Sequence, residues 1–224
     1  MSMTLRTRVK ICGITRPQDA VLAARLGADA LGLMFYAGSK RAITLRQAAE
    51  IRAAVPAFVS VVGLFVNPQR SDVESTLQAV HLDCLQFHGD EDPAFCESFA
   101  MPYIKVVRVP AEADDSGHGK LLQQVEEQAA QFSGASAILL DTYDPQQRGG
   151  TGKQFDWTLA RRCVEQLAAP IVLAGGLSAD NAARAINEVR PWALDLSSGV
   201  ESEPGIKDPD KMQAFFEEVN RVRI

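Results

Sequence analysis

No stretch of this sequence is apolar for long enough to cross a bilayer: the longest run, residues 57–66, is about half the length a span needs and is interrupted by Ser60 and Gly63. A secretory leader is not expected either, because the opening MSMTLRTR carries basic charge with no apolar core or small-residue cleavage site behind it. The expected location is therefore cytoplasmic. Positive charge is in deficit, 23 Lys plus Arg against 28 Asp plus Glu, for a net charge of -5. No field gathers polyanions on such a surface, so a nucleic-acid partner is not expected, nor is a membrane. Cysteine is scattered: Cys12, Cys84, Cys96 and Cys163 form no CxxC, and all four read as reduced thiols. His81, Cys84, His88 and Cys96 fit no zinc spacing, so no metal is expected. Low-complexity tracts and Gly/Ser linkers are missing too, and the 46% hydrophobic and 23% charged content is that of an ordinary packed domain. The chain reads as one domain over residues 1–224, with 1–8 as a loose lead-in. Nothing in it separates a monomer from a homodimer.

What is present is an alternation. Short, largely apolar runs at residues 9–12, 30–35, 59–65, 84–88, 104–109, 137–141, 171–174 and 193–196 have the length and composition of strands buried on both faces. Between them lie longer amphipathic segments with helix punctuation. Thr15 with Gln18, Thr44 with Gln47 and Ser71 with Glu74 match the capping box, in which two orphan backbone donors are reciprocally satisfied. Asp92-Pro93 and Asp208-Pro209 pair an N-cap acceptor with a proline that has no N–H to leave unbonded, and Gly27 stands where a left-handed helix terminus is expected. Residues 111–120 read as a polar surface loop. Eight consecutive strand–helix units in a chain of this length predict a closed (β/α)8 barrel rather than an open sheet.

In such a barrel, chemistry belongs to the carboxyl ends of the strands and the loops after them. Side chains alternate along a strand, so Lys10 and Cys12 share a face, as do Gln86 and His88, Leu139 and Asp141, and Ala193, Asp195 and Ser197. Polar groups at inward positions need pairing or a function. Cys12, beside Lys10 and followed by Gly13, is placed to take a proton, with inert core thiol as the bland alternative. Asp141 at the tip of a buried strand is placed to give one, partial burial raising its pKa while nearby positive charge lowers that of a thiol. The run Arg148 to Lys153 lacks the spacing of a P-loop and reads as a mobile cover. Gly175-Gly176 and Ser198-Gly199 follow the seventh and eighth strands, where barrels of the phosphate-binding type hold a phosphate on backbone N–H groups. Arg41 could present its fork to a carboxylate.

These words resemble one family. VKICGIT (residues 9–15), GADA (27–30), SKR (39–41), GLFVN (63–67), QFHG (86–89), LLDT (139–142), GGTGKQFDW (149–157), LAGGL (173–177) and DLSSGVE (195–201) are similar, in this order, to phosphoribosylanthranilate isomerases of tryptophan biosynthesis. The resemblance implies an Amadori rearrangement without metal or organic cofactor, the substrate being a phosphorylated small molecule. It implies Asp141 as general acid, Cys12 as general base, Arg41 on the anthranilate carboxylate, and Gly175, Gly176, Ser198 and Gly199 on the phosphate. For His88 and Asp195, contact with ribose hydroxyls and hydrogen bonding within the protein stay open. Two rivals are a histidine-pathway phosphoribosyl isomerase, against which Cys12 argues because that family has an aspartate there, and a barrel that binds a phosphorylated metabolite without turning it over.

Overall fold

The structure, a computed structural model, describes residues 6–110, 118–143 and 157–222. Eight strands, β1 (Arg8–Cys12), β2 (Ala30–Met34), β3 (Ser60–Phe65), β4 (Cys84–Phe87), β5 (Tyr103–Pro110), β6 (Ala137–Tyr143), β7 (Ile171–Leu173) and β8 (Ala193–Leu196), close into a barrel in sequence order. All eight pairings are parallel, and β1 against β8, with Lys10 opposite Asp195, shuts the ring. Among the described residues, seven helices cover the outside between strands: α1 (Pro17–Leu26), α2 (Leu45–Ala54), α3 (Arg70–Ala79), α4 (Pro93–Glu97), α5 (His118–Gln131), α6 (Trp157–Gln166) and α7 (Ala179–Val189). After β8 come a 3₁₀ turn at Ser198–Val200, a small antiparallel hairpin of β9 (Glu201–Glu203) and β10 (Ile206–Lys207), and the last helix, α8 (Pro209–Arg221). The eight-unit barrel expected from the alternation is the fold.

Strand alternation splits the core in two. Outward residues such as Ile11, Leu31, Leu85, Ile138 and Leu194 join the helices in one large apolar cluster. Inward residues Val106, Ala137, Leu139, Val172, Ala174 and Ala193 form a smaller one that plugs the barrel. Phe87 is on the outward face, fully buried against Phe95, Phe99 and Tyr103. Apolar filling on the β5–β8 side contrasts with Lys10, Cys12 and Asp195 on the β8–β1 side, all buried. Here the interior is polar by construction.

Helix starts agree with the sequence in part. Thr44 and Gln47 form the reciprocal box on α2, and Asp92 and Asp208 cap α4 and α8 ahead of a proline. Gly27 closes α1 at φ 106°, as its position predicted. The other two boxes do not form. The Thr15 hydroxyl instead donates to the Gly205 carbonyl in the β9–β10 turn, and α1 begins from Arg16, whose guanidinium holds Asp19 at 2.7 Å. At α3 the helix starts earlier than expected, from Gln69, whose backbone N–H donates to Asp72 at 3.1 Å. The cap pattern is short, so a partner distant in sequence could claim the Thr15 hydroxyl and an earlier residue, Gln69, could take the cap of α3. The loop expected over residues 111–120 is cut short by α5, which begins at His118; residues 111–117 lie outside the described ones. Within the expected lead-in, Thr7 is buried and Arg6 pairs with Asp29 at 2.6 Å, so these two residues are held against the barrel.

Candidate active site

Running round the carboxyl-terminal rim from β6 to β2, the candidate residues follow in strand order: Asp141 on β6, Gly175 and Gly176 after β7, Ser198 and Gly199 after β8, Cys12 on β1 and Arg41 after β2. His88 follows β4. The backbone after β7 and β8 needs its glycines. Gly175 and Gly176 have φ of 92° and 64°, a region that side chains resist. Gly199 is compelled differently, because a Cβ there would stand 1.8 Å from the Leu177 carbonyl oxygen. The two loops are thus packed backbone on backbone, a close approach that a side chain at position 199 would prevent. Gly13, at φ 73°, both turns the chain after Cys12 and leaves room for the Arg41 side chain.

Asp141 keeps 30% of its side chain open and has His88 at 3.2 Å, Nε2 to Oδ2. The backbone of Arg108 on β5 is in register with Asp141, and its guanidinium donates to the His88 carbonyl at 2.7 Å. The β4 loop is further held by buried Glu91, which accepts from Asn67 and Gly89 backbone N–H groups and pairs with Lys105 at 2.7 Å. Imidazole and carboxyl are therefore set against each other by rigid elements on both sides.

Cys12 is 7% exposed at the end of β1. Beneath it Lys10, 4% exposed, holds Asp195 at 2.8 Å, so of the two roles left open for Asp195 the hydrogen bond within the protein is formed here. Burial pushes the Cys12 thiol above its ordinary range; Lys10 and Lys207 pull the other way and Asp195 adds to the rise. The thiolate character expected from a neighbouring lysine is thus opposed by desolvation, which is the larger effect. Burial works to lower the Lys10 pKa, but the Asp195 carboxylate and Cys12 sulfur outweigh it and keep the ammonium charged.

Arg41 differs from its expected picture of a fork open to ligand. Its Nε and Nη2 donate to Glu201 at 2.8 and 2.6 Å. Glu201 also accepts from Lys207 at 2.8 Å, and fully buried Lys207 donates to the Cys12 carbonyl at 2.6 Å and to the Ser197 carbonyl and hydroxyl at 3.2 Å each. Burial alone would raise the Glu201 pKa, yet Arg41 and Lys207 hold it down at about 2. Lys207 is depressed by its burial, with Glu201 opposing. The hairpin after β8 thereby inserts a lysine that binds the ends of β1 and β8 together. Sequence reading missed Lys207 and Arg108. Lys207 stands alone among loop residues with no pattern to mark it, whereas Glu201 lay inside a recognised word without a role.

The run Arg148 to Lys153, expected as a mobile cover, lies outside the described residues. Among the described residues no cluster of three or more His, Cys, Asp or Glu could hold a metal, and no helix is long and apolar enough to cross a membrane.

The sequence pattern of N-(5'-phosphoribosyl)anthranilate (PRA) isomerase matches residues 9–218. This chain belongs to that family. A relative from Pseudomonas fluorescens, named N-(5'-phosphoribosyl)anthranilate isomerase, is 52% identical over 96% of this chain and 96% of its own. Among solved structures, phosphoribosyl anthranilate isomerase from Thermotoga maritima superposes with a TM-score of 0.84 at 38% identity, covering 96% of this chain and all of that one. A second, in complex with reduced 1-(o-carboxyphenylamino)-1-deoxyribulose 5-phosphate, does so at 0.78 and 36%, with 96% and 100% covered. The isomerase family, its barrel and its enzymatic nature are those expected from the resemblance.

Proposed function

We propose that this isomerase converts N-(5-phosphoribosyl)anthranilate into 1-(2-carboxyphenylamino)-1-deoxyribulose 5-phosphate, in the cytoplasm, with its whole length as one catalytic domain. The observation that carries the reading is the order of groups round the rim: Asp141 and Cys12 flank the glycine loops after β7 and β8. A substrate anchored there by its phosphate has an acid on one side of its ribose and a base on the other. The reduced product-like ligand with which one relative was solved has the same phosphate and carboxyphenyl ends.

The reaction then needs a proton given by one residue and a proton taken by another before the enolamine tautomerises. Asp141 donates to the furanose ring oxygen; the C1–O bond breaks towards that oxygen while the nitrogen lone pair forms the C1–N double bond of a protonated Schiff base. Cys12, as thiolate, removes the C2 proton. Those electrons form the C1–C2 double bond and the iminium pair returns to nitrogen, giving an enolamine that ketonises on protonation at C1. Acid and base at fixed positions each contribute on the order of 10² to 10⁴-fold. No step calls for a metal or an organic cofactor. Gly175, Gly176, Ser198 and Gly199 hold the phosphate. Arg41, steadied along one edge by Glu201, presents its other edge to the anthranilate carboxylate. His88 orients the Asp141 carboxyl and faces the ribose hydroxyls.

Fluorescence of freshly made phosphoribosylanthranilate tests this directly. Its disappearance should follow added protein, and Cys12→Ala and Asp141→Ala should each lose at least about a thousandfold in kcat while still binding a product analogue. Turnover of the histidine-pathway aminoaldose with none of phosphoribosylanthranilate would overturn the reading. Retained near-native turnover in either variant would remove that residue from its role.

A further inference from the structure

A lysine and an aspartate buried together inside a barrel are expensive, and such a pair contributes little to stability compared with apolar residues of the same volume. Lys10 and Asp195 nevertheless occupy the interior directly below Cys12, 4% and 7% exposed, across the β1–β8 seam at 2.8 Å. The adjoining strand is cut away to match. Gly32 of β2 is the backbone partner of Cys12, and a Cβ on it would come within 2.9 Å of the Cys12 sulfur and 3.1 Å of the Lys10 nitrogen. Ammonium and sulfur therefore border one gap, which any larger residue at position 32 would fill.

We propose that Lys10, locked by Asp195, is the positioning residue that makes Cys12 usable as a base, and that Gly32 is kept side-chain-free so that ammonium and sulfur can face each other. The proposal deepens the isomerase reading of Cys12 and rests on it. A buried thiolate is a desolvated anion, and a fixed cation next to it lowers its free energy in the step where it forms. Asp195 prevents that cation from losing its proton or swinging away, and it opposes the thiolate less than Lys10 favours it. Other groups facing Cys12 are Lys207 on β10 and Arg41 beyond β2, while Cys84 on β4 senses Lys10 from the far side. Lys207 is already committed to Glu201 and to backbone carbonyls. It holds the strand end rather than the sulfur.

The test reads the thiol without needing turnover. Iodoacetamide alkylation of Cys12, followed peptide by peptide by mass spectrometry across pH, reports its thiolate fraction. Lys10→Met should slow alkylation at pH 8 at least tenfold, and so should Lys10→Met with Asp195→Asn, a pair that removes both charges and folds without an orphaned carboxylate. Gly32→Ala, which keeps every charge, should slow it in the same direction, and Lys10→Arg should recover most of the wild-type rate. In the isomerase assay the double variant should lose kcat with KM within about twofold, the loss shrinking as pH rises. Unchanged alkylation in a double variant whose circular dichroism and melting show it folded would overturn the proposal. Slowed alkylation with unchanged turnover would spare the clamp and instead remove Cys12 from the reaction.

Discussion

At the scale of single residues the rim is governed by who already holds whom. Arg41 meets Glu201 through two hydrogen bonds, a bidentate geometry that fixes the guanidinium plane before any ligand arrives. A carboxylate gripped equally before and during reaction contributes uniform binding. Arg41→Ala is therefore expected to raise KM more than it lowers kcat, measured by steady-state kinetics; a defect confined to kcat would place Arg41 elsewhere. Glu201 carries a pH signature. Its carboxyl titrates at about 2 in the folded chain against about 4.3 when unfolded. The stability it contributes is complete above the unfolded value and is lost as pH falls from there towards 2. Glu201→Gln should be less stable at neutral pH yet show a flatter loss below about pH 4.3, followed by urea denaturation at a series of pH values. Parallel curves for variant and wild type would contradict the linkage.

At the scale of elements, the loops after β7 and β8 act as one piece because Gly199 lies against the Leu177 carbonyl. Gly199→Ala must push that carbonyl away, and backbone cannot yield as a flexible side chain can. The expected outcome is weaker binding of phosphate-bearing ligands together with a lower melting temperature, read by calorimetry with and without a product analogue. A variant that binds the analogue normally would show that the packed loops are not the anchor. How legible these elements were depended on the range of the interaction. The strands were legible because burial on both faces leaves unbroken apolar runs. The glycine turns were legible because φ of 92° and 64° at Gly175 and Gly176 leaves few other residues possible. The capping of α1 was not, because the Thr15 hydroxyl was claimed by Gly205, far along the chain.

For the whole molecule, the question is how a barrel tolerates charge in its interior. Lys10, Cys12 and Asp195 stand on one side and a compact apolar layer on the other, with Leu139 1% exposed in that layer. The apolar layer stabilises the ring that the charged side cannot. Leu139→Ala should cost about 3 kcal/mol in urea unfolding, since a closed barrel collapses poorly onto a cavity, and a loss under about 1 kcal/mol would mean that the plug is not what closes it.

The amino-acid order by itself determined the eight strand–helix units, the parity that turns Lys10, Cys12, Asp141 and Asp195 inward, and the glycine loops, all of which follow from periodicity and backbone permission over a few neighbours. Only the tertiary structure decided the partners. Glu201 on Arg41, Lys207 on the Cys12 carbonyl, His88 on Asp141 and Asp195 on Lys10 join groups far apart along the chain. Such pairings depend on which strand ends the closing ring brings together, and no local pattern encodes that distance.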